Sequence, residues 1–291
     1  MRFSLIVATL GRDREIAELL DSLLAQGRRD FEVIIVDQNA DDRVGPVEAA
    51  YAGRLPLKRI RSAVRNANHA RNLGLRHAFG EIVTFPDDDC LYPAGVLDRV
   101  DAAFAASPAL QVLTGPAASP AGGLGSGRWR LDGGAIDLKN VWTSVIEFNL
   151  FLRRDTAMNL GGFDERMGPG TPFGSAEGND LVCRAMAKGL HARYDPDLRI
   201  IHPDKRLTDV AVERAERYGR GLGFALRRHG APASAWFAFL VRPLGGVALS
   251  LLRGRMHDAG YYFMTWRGRL AGALAAEARA PATLPPIAEE C

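Results

Sequence analysis

Short apolar runs alternate with helix-spaced apolar positions through the first third of the chain. Residues 3–8 (FSLIVA) form a nearly unbroken apolar run, as in a strand buried on both faces. Residues 14–26 follow with Ile16, Leu19, Leu20, Leu23 and Leu24 on one helical face. Residues 31–37 (FEVIIVD) and 57–62 (LKRIRS) read as a second and third strand. A helix is predicted over 68–80, closed by Gly80 as its C-terminal cap, then a strand over 81–85 and a helix over 94–106. This alternation predicts an α/β fold with a doubly wound, mostly parallel sheet flanked by helices.

The pattern loosens after residue 115. Residues 116–139 are rich in Gly, Ala, Ser and Pro and read as a long surface loop, of the kind that serves as a mobile lid. Trp129 within it is either a packing anchor, the commoner role, or a sugar-stacking face. A strand is expected in EFNLFLRR (147–154), a short helix and turn in DTAMNLGGFDE (155–165), and a helix over 179–189 stopped by Gly189. Residues 198–204 (LRIIHPD) place His202 at the end of one more apolar run. From Thr208 the chain turns basic and helical. Residues 235–252 are apolar but broken by Arg242, Pro243 and two glycines, too interrupted to read as a spanning helix. Flanked by Arg227, Arg228, Arg253 and Arg255, they are expected either to lie in an anionic membrane interface or to pack as a hairpin on the core. The resulting division is residues 1–206, a helical C-terminal extension over 207–280, and a tail over 281–291.

Composition adds two points. The 291 residues carry a net charge of only +3, but residues 199–270 hold 13 Lys/Arg against 5 Asp/Glu. That asymmetry suggests an anionic surface as partner, or simply a solvated basic face. Cys90, Cys183 and Cys291 are too scattered for a disulfide framework or a zinc knuckle, which fits a reducing compartment. The N-terminal run reads as a strand and not as a signal peptide, so a cytoplasmic location is expected.

The chemistry concentrates in TFPDDDCLYP (84–93), where three carboxylates follow an apolar run with no nearby cation in sequence. Hard divalent ions take such oxygen ligands, with substrate phosphates and water completing the shell. In an extended segment Asp87 and Asp89 point to one side and Asp88 to the other. A later strand offers His202 to the same ion. Ligands of doubly wound sheets bind beyond the carboxyl ends of the strands, and chain order brings Thr9, Asp37 and the acidic run to that edge.

These segments, in this order, resemble the GT-A glycosyltransferases of family 2 over residues 3–204. SLIVATLGR resembles the opening strand and nucleotide loop, VIIVDQNADD the second-strand signature, NHARNLGLRHAFGEIVTFPDDD the run into the D-x-D motif, LGGFDERMG the acceptor-side turn, and IIHPDK the metal-binding histidine segment. The resemblance implies nucleotide-sugar binding by Thr9, Arg12, Asp37, Asn39, Asn68, Arg71, Asp87 and Asp88, with Asn72 close by. It implies Mn²⁺ or Mg²⁺ on Asp89 and His202. It also implies inverting transfer of a sugar from a nucleotide-diphosphate sugar to an acceptor hydroxyl. One departure stands out. Where the family carries its usual catalytic aspartate, SAEGNDL has Gly178, which leaves Glu177 as first candidate base and Asp180 as second. A carboxylate beside a helix N-terminus is expected to stay ionised, while Asp180 also suits an i,i+4 pair with Arg184.

Other classes fit less well. A dehydrogenase lacks G-x-G-x-x-G after the first strand, and a nucleotidyltransferase lacks the Gly-rich basic loop, since VATLGRDRE has one glycine. Nucleic-acid binding has only the basic C-terminal third to support it. A non-catalytic, sugar-nucleotide-binding member is the alternative that Gly178 supports.

Overall fold

The computed structural model describes residues 1–204, 208–279 and 283–288. The boundary expected at 206–207 and Cys291 lie outside the described residues. β1 (Phe3–Thr9), β2 (Phe31–Asp37), β3 (Leu57–Arg61) and β4 (Ile82–Thr84) run parallel in the order β3-β2-β1-β4. Within β1, Leu5 and Val7 pack into one core and Ile6 into the other. Period-two alternation with both faces apolar is why this strand reads as a continuous run. α1 (Arg14–Leu24) and α4 (Val96–Ala106) cover one face; α3 (Ala67–Arg76), α5 (Arg154–Asn159) and α6 (Glu177–Ala187) cover the other.

The sheet continues as β8 (Leu150–Arg153), antiparallel to β4, then β5 (Leu110–Thr114), β9 (His191–Tyr194) and β7 (Gly134–Ala135). A second, two-stranded sheet pairs β6 (Ala117–Ala118) with β10 (Ile200–Ile201). Among the free, buried thiols are Cys90 and Cys183.

Several elements differ from the sequence reading. α2 (Gly45–Tyr51), β5 and β9 were not anticipated. α3 ends at His77, and Gly80 does not cap it. A Cβ on Gly80 would lie 2.4 Å from the Phe3 carbonyl carbon, so glycine is required there for close approach to β1. The 116–139 segment is not wholly loop, since β6 and β7 lie within it, and Trp129 donates to Gly125 O at 3.2 Å as a packing residue.

α7 (Asp209–Arg228), α8 (Ala233–Leu252) and α9 (Met256–Leu274) form the C-terminal extension. α8 runs unbroken through Pro243, contrary to the expected interruption. Proline supplies no N–H for the carbonyl four residues earlier. Here Arg269 Nη1 reaches that carbonyl, Phe239 O, at 2.6 Å. α8 is, among the described residues, the one helix long and apolar enough to cross a membrane, and most of it is exposed. The tail turns back onto the first region, where Ile287 N donates to Met158 O at 2.9 Å.

Candidate active site

Register puts the polar residues on one edge. Thr9 pairs with Asp37 at the ends of β1 and β2, and Ala8 bridges Asp87. A bridge between Leu91 and Ile201 then carries His202 to the acidic run. A cleft of about 850 Å³ opens there, lined by Arg12, Arg71, Asp87, Asp88, Asp89 and His202 on its sheet side.

One ligand atom each from Asp87, Asp89 and His202 lies within 4.8 Å of the others. His202 Nε2 is 3.5 Å from Asp89 Oδ1 and 3.8 Å from Asp87 Oδ2. Its Nδ1 faces the Pro203 carbonyl at 2.8 Å, which can only accept, so Nδ1 is the donor and Nε2 turns to the carboxylates. The ring stacks on Phe148 with centroids 4.6 Å apart. Asp89 Oδ1 is buried without a hydrogen-bond partner. A fixed imidazole and an orphaned carboxylate oxygen are the donor set a hard divalent cation takes. Asp87, assigned from sequence to the sugar nucleotide, thus joins Asp89 and His202 in the candidate metal centre.

The expected strand alternation does not hold here, because Asp88 and Asp89 lie in a turn: all three acids line the cleft, and Asp88 accepts from Thr9 Oγ1 at 2.7 Å. The acids do not lack cations in space. Arg12 pairs with Asp88, and with Asp89 at 2.7 Å, while Arg71 Nη2 reaches Asp87 at 2.9 Å. Thr9 is itself buried, so its hydroxyl orients Asp88 and does not face a ligand. Asp37 is buried too, held by Asn39 N at 2.9 Å, Asn39 Nδ2 at 2.7 Å and Arg59 Nη2 at 2.5 Å. Asn39 Oδ1 accepts from Gly11 N at 2.7 Å. Asp37 and Asn39 thereby shape the cleft's loops, and it is Gln38 between them that lines the cleft.

Arg71 is the hub of the floor. Besides Asp87 it donates to Asn68 Oδ1 at 2.9 Å, pairs with Glu177 at 3.4 Å and lies 5.4 Å from the Phe163 ring centre. Asn68 and Asn72 fasten the LGGFDERMG turn to α3: Asn68 Nδ2 donates to Met167 O at 2.9 Å, and Asn72 Nδ2 to Phe163 O at 2.9 Å. Asn72 therefore supports the floor from behind.

Glu177 opens α6 directly after Ala176, which is held at φ 67°, a left-handed conformation costly for a residue with a Cβ. Its carboxyl is not the readily ionised group the helix terminus suggested. Burial, then the neighbouring Glu147, push it up to about 8 against the pull of Arg71. Its Oε2 is buried without a partner. Asp180 has a different setting. It is wholly buried among Arg184 Nε at 2.8 Å, His229 Nε2 at 2.8 Å and Arg228 Nη1 at 3.3 Å. Neither candidate base is among the cleft-lining residues.

The opposite wall was missed from sequence. It comes from Arg65 and the C-terminal extension: Arg214 and Tyr218 of α7, Tyr261 and Arg269 of α9. α7 and α9 pack backbone to backbone through glycines. A Cβ on Gly223 would lie 1.9 Å from Arg269 O, and one on Gly272 2.0 Å from Arg220 O. The spaced glycines of RYGRGLG and GRLAG were the available signal.

A parallel half-sheet whose carboxyl edge carries an acid–histidine cluster beside a deep cleft is the GT-A glycosyltransferase architecture. The profile of glycosyl transferase family 2 matches residues 4–153, just over half of the chain. This chain belongs to that family. The uncharacterized glycosyltransferase YwdF of Bacillus subtilis is 33% identical over 102 residues, covering 34% of this chain and 37% of YwdF. The match thus spans well under half of that relative. A crystal structure of residues 1–349 of Staphylococcus aureus TarS aligns over 94% of this chain and 92% of that one, with a TM-score of 0.61 and 20% identity; TarS 1–349 has also been solved with UDP-GlcNAc. The mannosyltransferase PcManGT of Pyrobaculum calidifontis, solved with GDP-Man and Mn²⁺, aligns over 94% of this chain and 87% of its own, with a TM-score of 0.67 and 20% identity.

Proposed function

We propose that this chain is a metal-dependent inverting glycosyltransferase that moves a sugar from a nucleotide-diphosphate sugar to an acceptor hydroxyl in glycan, polysaccharide or glycolipid synthesis. The observation that carries the reading is the convergence of Asp87, Asp89 and His202, with an orphaned Asp89 oxygen, at the sheet edge of the cleft. Structural neighbours bound to UDP-GlcNAc or to GDP-Man with Mn²⁺ support a donor of this class.

Asp89 and His202, with Asp87, would hold Mn²⁺ or Mg²⁺. Such an ion offsets the charge that builds on a departing diphosphate. Arg12, Arg71 and Asp88 meet the donor at the cleft surface; Thr9, Asp37, Asn39 and Asn68 fix the groups that do. Glu177 takes the acceptor's proton, and a carboxyl with a pKa of about 8 is well matched to that work near neutral pH. We assign Asp180 to the fold. The protein works in the cytoplasm at the inner face of the membrane, where α8 meets an anionic surface; its exposed Phe237, Val241, Arg242, Leu244 and Leu252, with exposed Arg253 and Arg255 just beyond its end, support this.

The second reading is a donor-binding member without transfer activity, favoured by Gly178 and by the burial of Glu177. A donor-hydrolysis screen over UDP-, GDP- and dTDP-sugars, with and without Mn²⁺, separates them. Metal-stimulated hydrolysis of one donor supports transfer; binding with no hydrolysis or transfer across acceptors supports the second.

A further inference from the structure

Residues 283–288 of the tail belong to no helix or strand, yet they lie against the turn that carries the cleft floor. Ile287 N donates to Met158 O at 2.9 Å, at the entry to that turn. The Ile287 side chain is half-buried and packs on the core beneath α3 and α6. The closest approaches fall on the glycine pair of LGGFDERMG. A Cβ on Gly161 would lie 2.4 Å from Pro285 O and 2.6 Å from Leu284 Cβ, and one on Gly162 would lie 2.6 Å from Ile287 Cδ1. The tail thus fills the space that side chains at 161 and 162 would take.

This pair of glycines needs support. Both are left-handed, at φ 79° and 64°. Glycine adopts that conformation without strain, but it loses more backbone freedom on folding than any other residue. Two in succession keep one geometry only where their surroundings hold them. Arg184 Nη2 holds Gly162 O at 2.6 Å, and Asn72 Oδ1 holds Phe163 N at 2.8 Å. The tail is a further hold, and Pro285 and Pro286 restrict its freedom before it docks.

The turn in question faces the chemistry at both ends. The Phe163 ring meets Phe85 edge-on at 4.7 Å and lies 5.4 Å from the Arg71 guanidinium. At the other end, a Cβ on Gly168 would stand 3.0 Å from Glu177 Oε1. Residues 161–168 therefore wall in the Arg71–Glu177 pair. The acid–histidine cluster is held separately, by the bridges of Ala8 to Asp87 and Leu91 to Ile201.

We infer that Leu284 and Ile287 are positioning residues: the tail clamps residues 161–168, and that turn sets Arg71 and Glu177. The effect on rate rests on the transfer reading above; the clamp itself does not.

The test compares the full chain with Leu284→Ala/Ile287→Ala and with Ile287→Leu, which conserves volume. Hydrogen–deuterium exchange reads the clamp without turnover. Amides of residues 161–168 should exchange about tenfold faster or more in the double variant, and near the wild-type rate in Ile287→Leu. Hydrolysis of UDP-GlcNAc or GDP-mannose with Mn²⁺ reads the consequence. In the double variant kcat should fall by about tenfold to a hundredfold, while binding of UDP with Mn²⁺ is retained. The limb that rises through about 8 in wild type should move to lower pH, because a loosened turn lets water reach Glu177. A tail that only adds stability would lower the melting temperature and leave kcat per folded molecule and the limb in place. Wild-type exchange over 161–168 in the double variant, or faster exchange with wild-type kcat and limb, overturns the proposal. If the double variant does not fold, Ile287→Ala alone is read in the same way. Absence of hydrolysis by the wild type counts against the transfer reading, and exchange then decides the clamp.

Discussion

Replacing Asp180 separates a carboxylate that holds the fold from one that does chemistry. Its side chain is wholly buried and faces Arg184, His229 and Arg228 at 2.8, 2.8 and 3.3 Å. Arg228 continues the network to Asp164 at 2.6 Å, and Arg184 Nη2 donates to Gly162 O at 2.6 Å. The network thus ties the start of α6 to the end of α7 and to the turn that carries the cleft floor. Asp180→Ala leaves the buried Arg184 without its counter-charge, while Arg228 keeps Asp164, at a cost of about 3–5 kcal/mol. Against a typical total of about 5–15 kcal/mol, that is a large fraction. It corresponds to a fall in melting temperature on the order of 10 °C.

The pH dependence has a definite sign. Burial raises the Asp180 carboxyl, but His229, Arg184 and Arg228 outweigh it and hold it well below the usual carboxylate range. Its stabilisation is therefore complete above the unfolded value of about 4 and fades as pH falls toward the depressed folded value. Calorimetric melting of wild type and Asp180→Ala at neutral and acid pH should show a gap that narrows on acidification. Donor turnover per folded molecule should stay within a few-fold of wild type. A variant that melts like wild type yet has lost turnover would refute the structural assignment and return Asp180 to the list of bases.

Four further outcomes follow from the geometry. Asp89→Ala should abolish metal-stimulated donor hydrolysis while circular dichroism and melting remain those of a folded protein. Glu177→Gln should lower the transfer rate by about 10²–10⁴-fold. The wild-type rate should rise with pH through about 8 as Glu177 ionises, a limb absent from the variant. Gly223→Ala should force α7 from α9, because its Cβ would meet Arg269 O at 1.9 Å, and urea titration should show a loss of about 1–3 kcal/mol or more. Arg71→Ala should weaken Mn²⁺-dependent UDP binding and destabilise the fold by about 1–3 kcal/mol, since it removes the buried donor shared by Asn68, Asp87 and Glu177.

Much of the site edge was legible because it depends on short-range pattern. The apolar runs of β1 and β2 fixed where those strands end, and hence where Thr9 and Asp37 stand together. Strand alternation misplaced Asp88, because the chain turns at 88–89 and brings all three acids to the cleft. The apolar run before His202 became β10 and delivered the imidazole. What was hidden depends on contacts distant in sequence. Arg12 meets Asp88 across 76 positions, and Arg71 meets Glu177 across 106, so neither pair has a local signature. The same cause explains α8. Pro243 reads as a break in isolation, yet Arg269, 30 positions from Phe239, satisfies the carbonyl that Pro243 leaves free. β5 and β9 are short and give little period to detect. The charge state of Glu177 went unread because burial overrides the helix terminus, and burial is a property of the whole fold.

The account turns on whether the Asp87–Asp89–His202 cluster joins a divalent cation to a sugar nucleotide. Titrating Mn²⁺ into the full chain with UDP-GlcNAc or GDP-mannose present, followed by the manganese resonance signal and calorimetry, tests this directly. Tight Mn²⁺ uptake that requires the nucleotide sugar, and that His202→Ala and Asp89→Ala both abolish, is the predicted result. Donor binding of equal strength in excess chelator, or Mn²⁺ uptake untouched by either substitution, would contradict it.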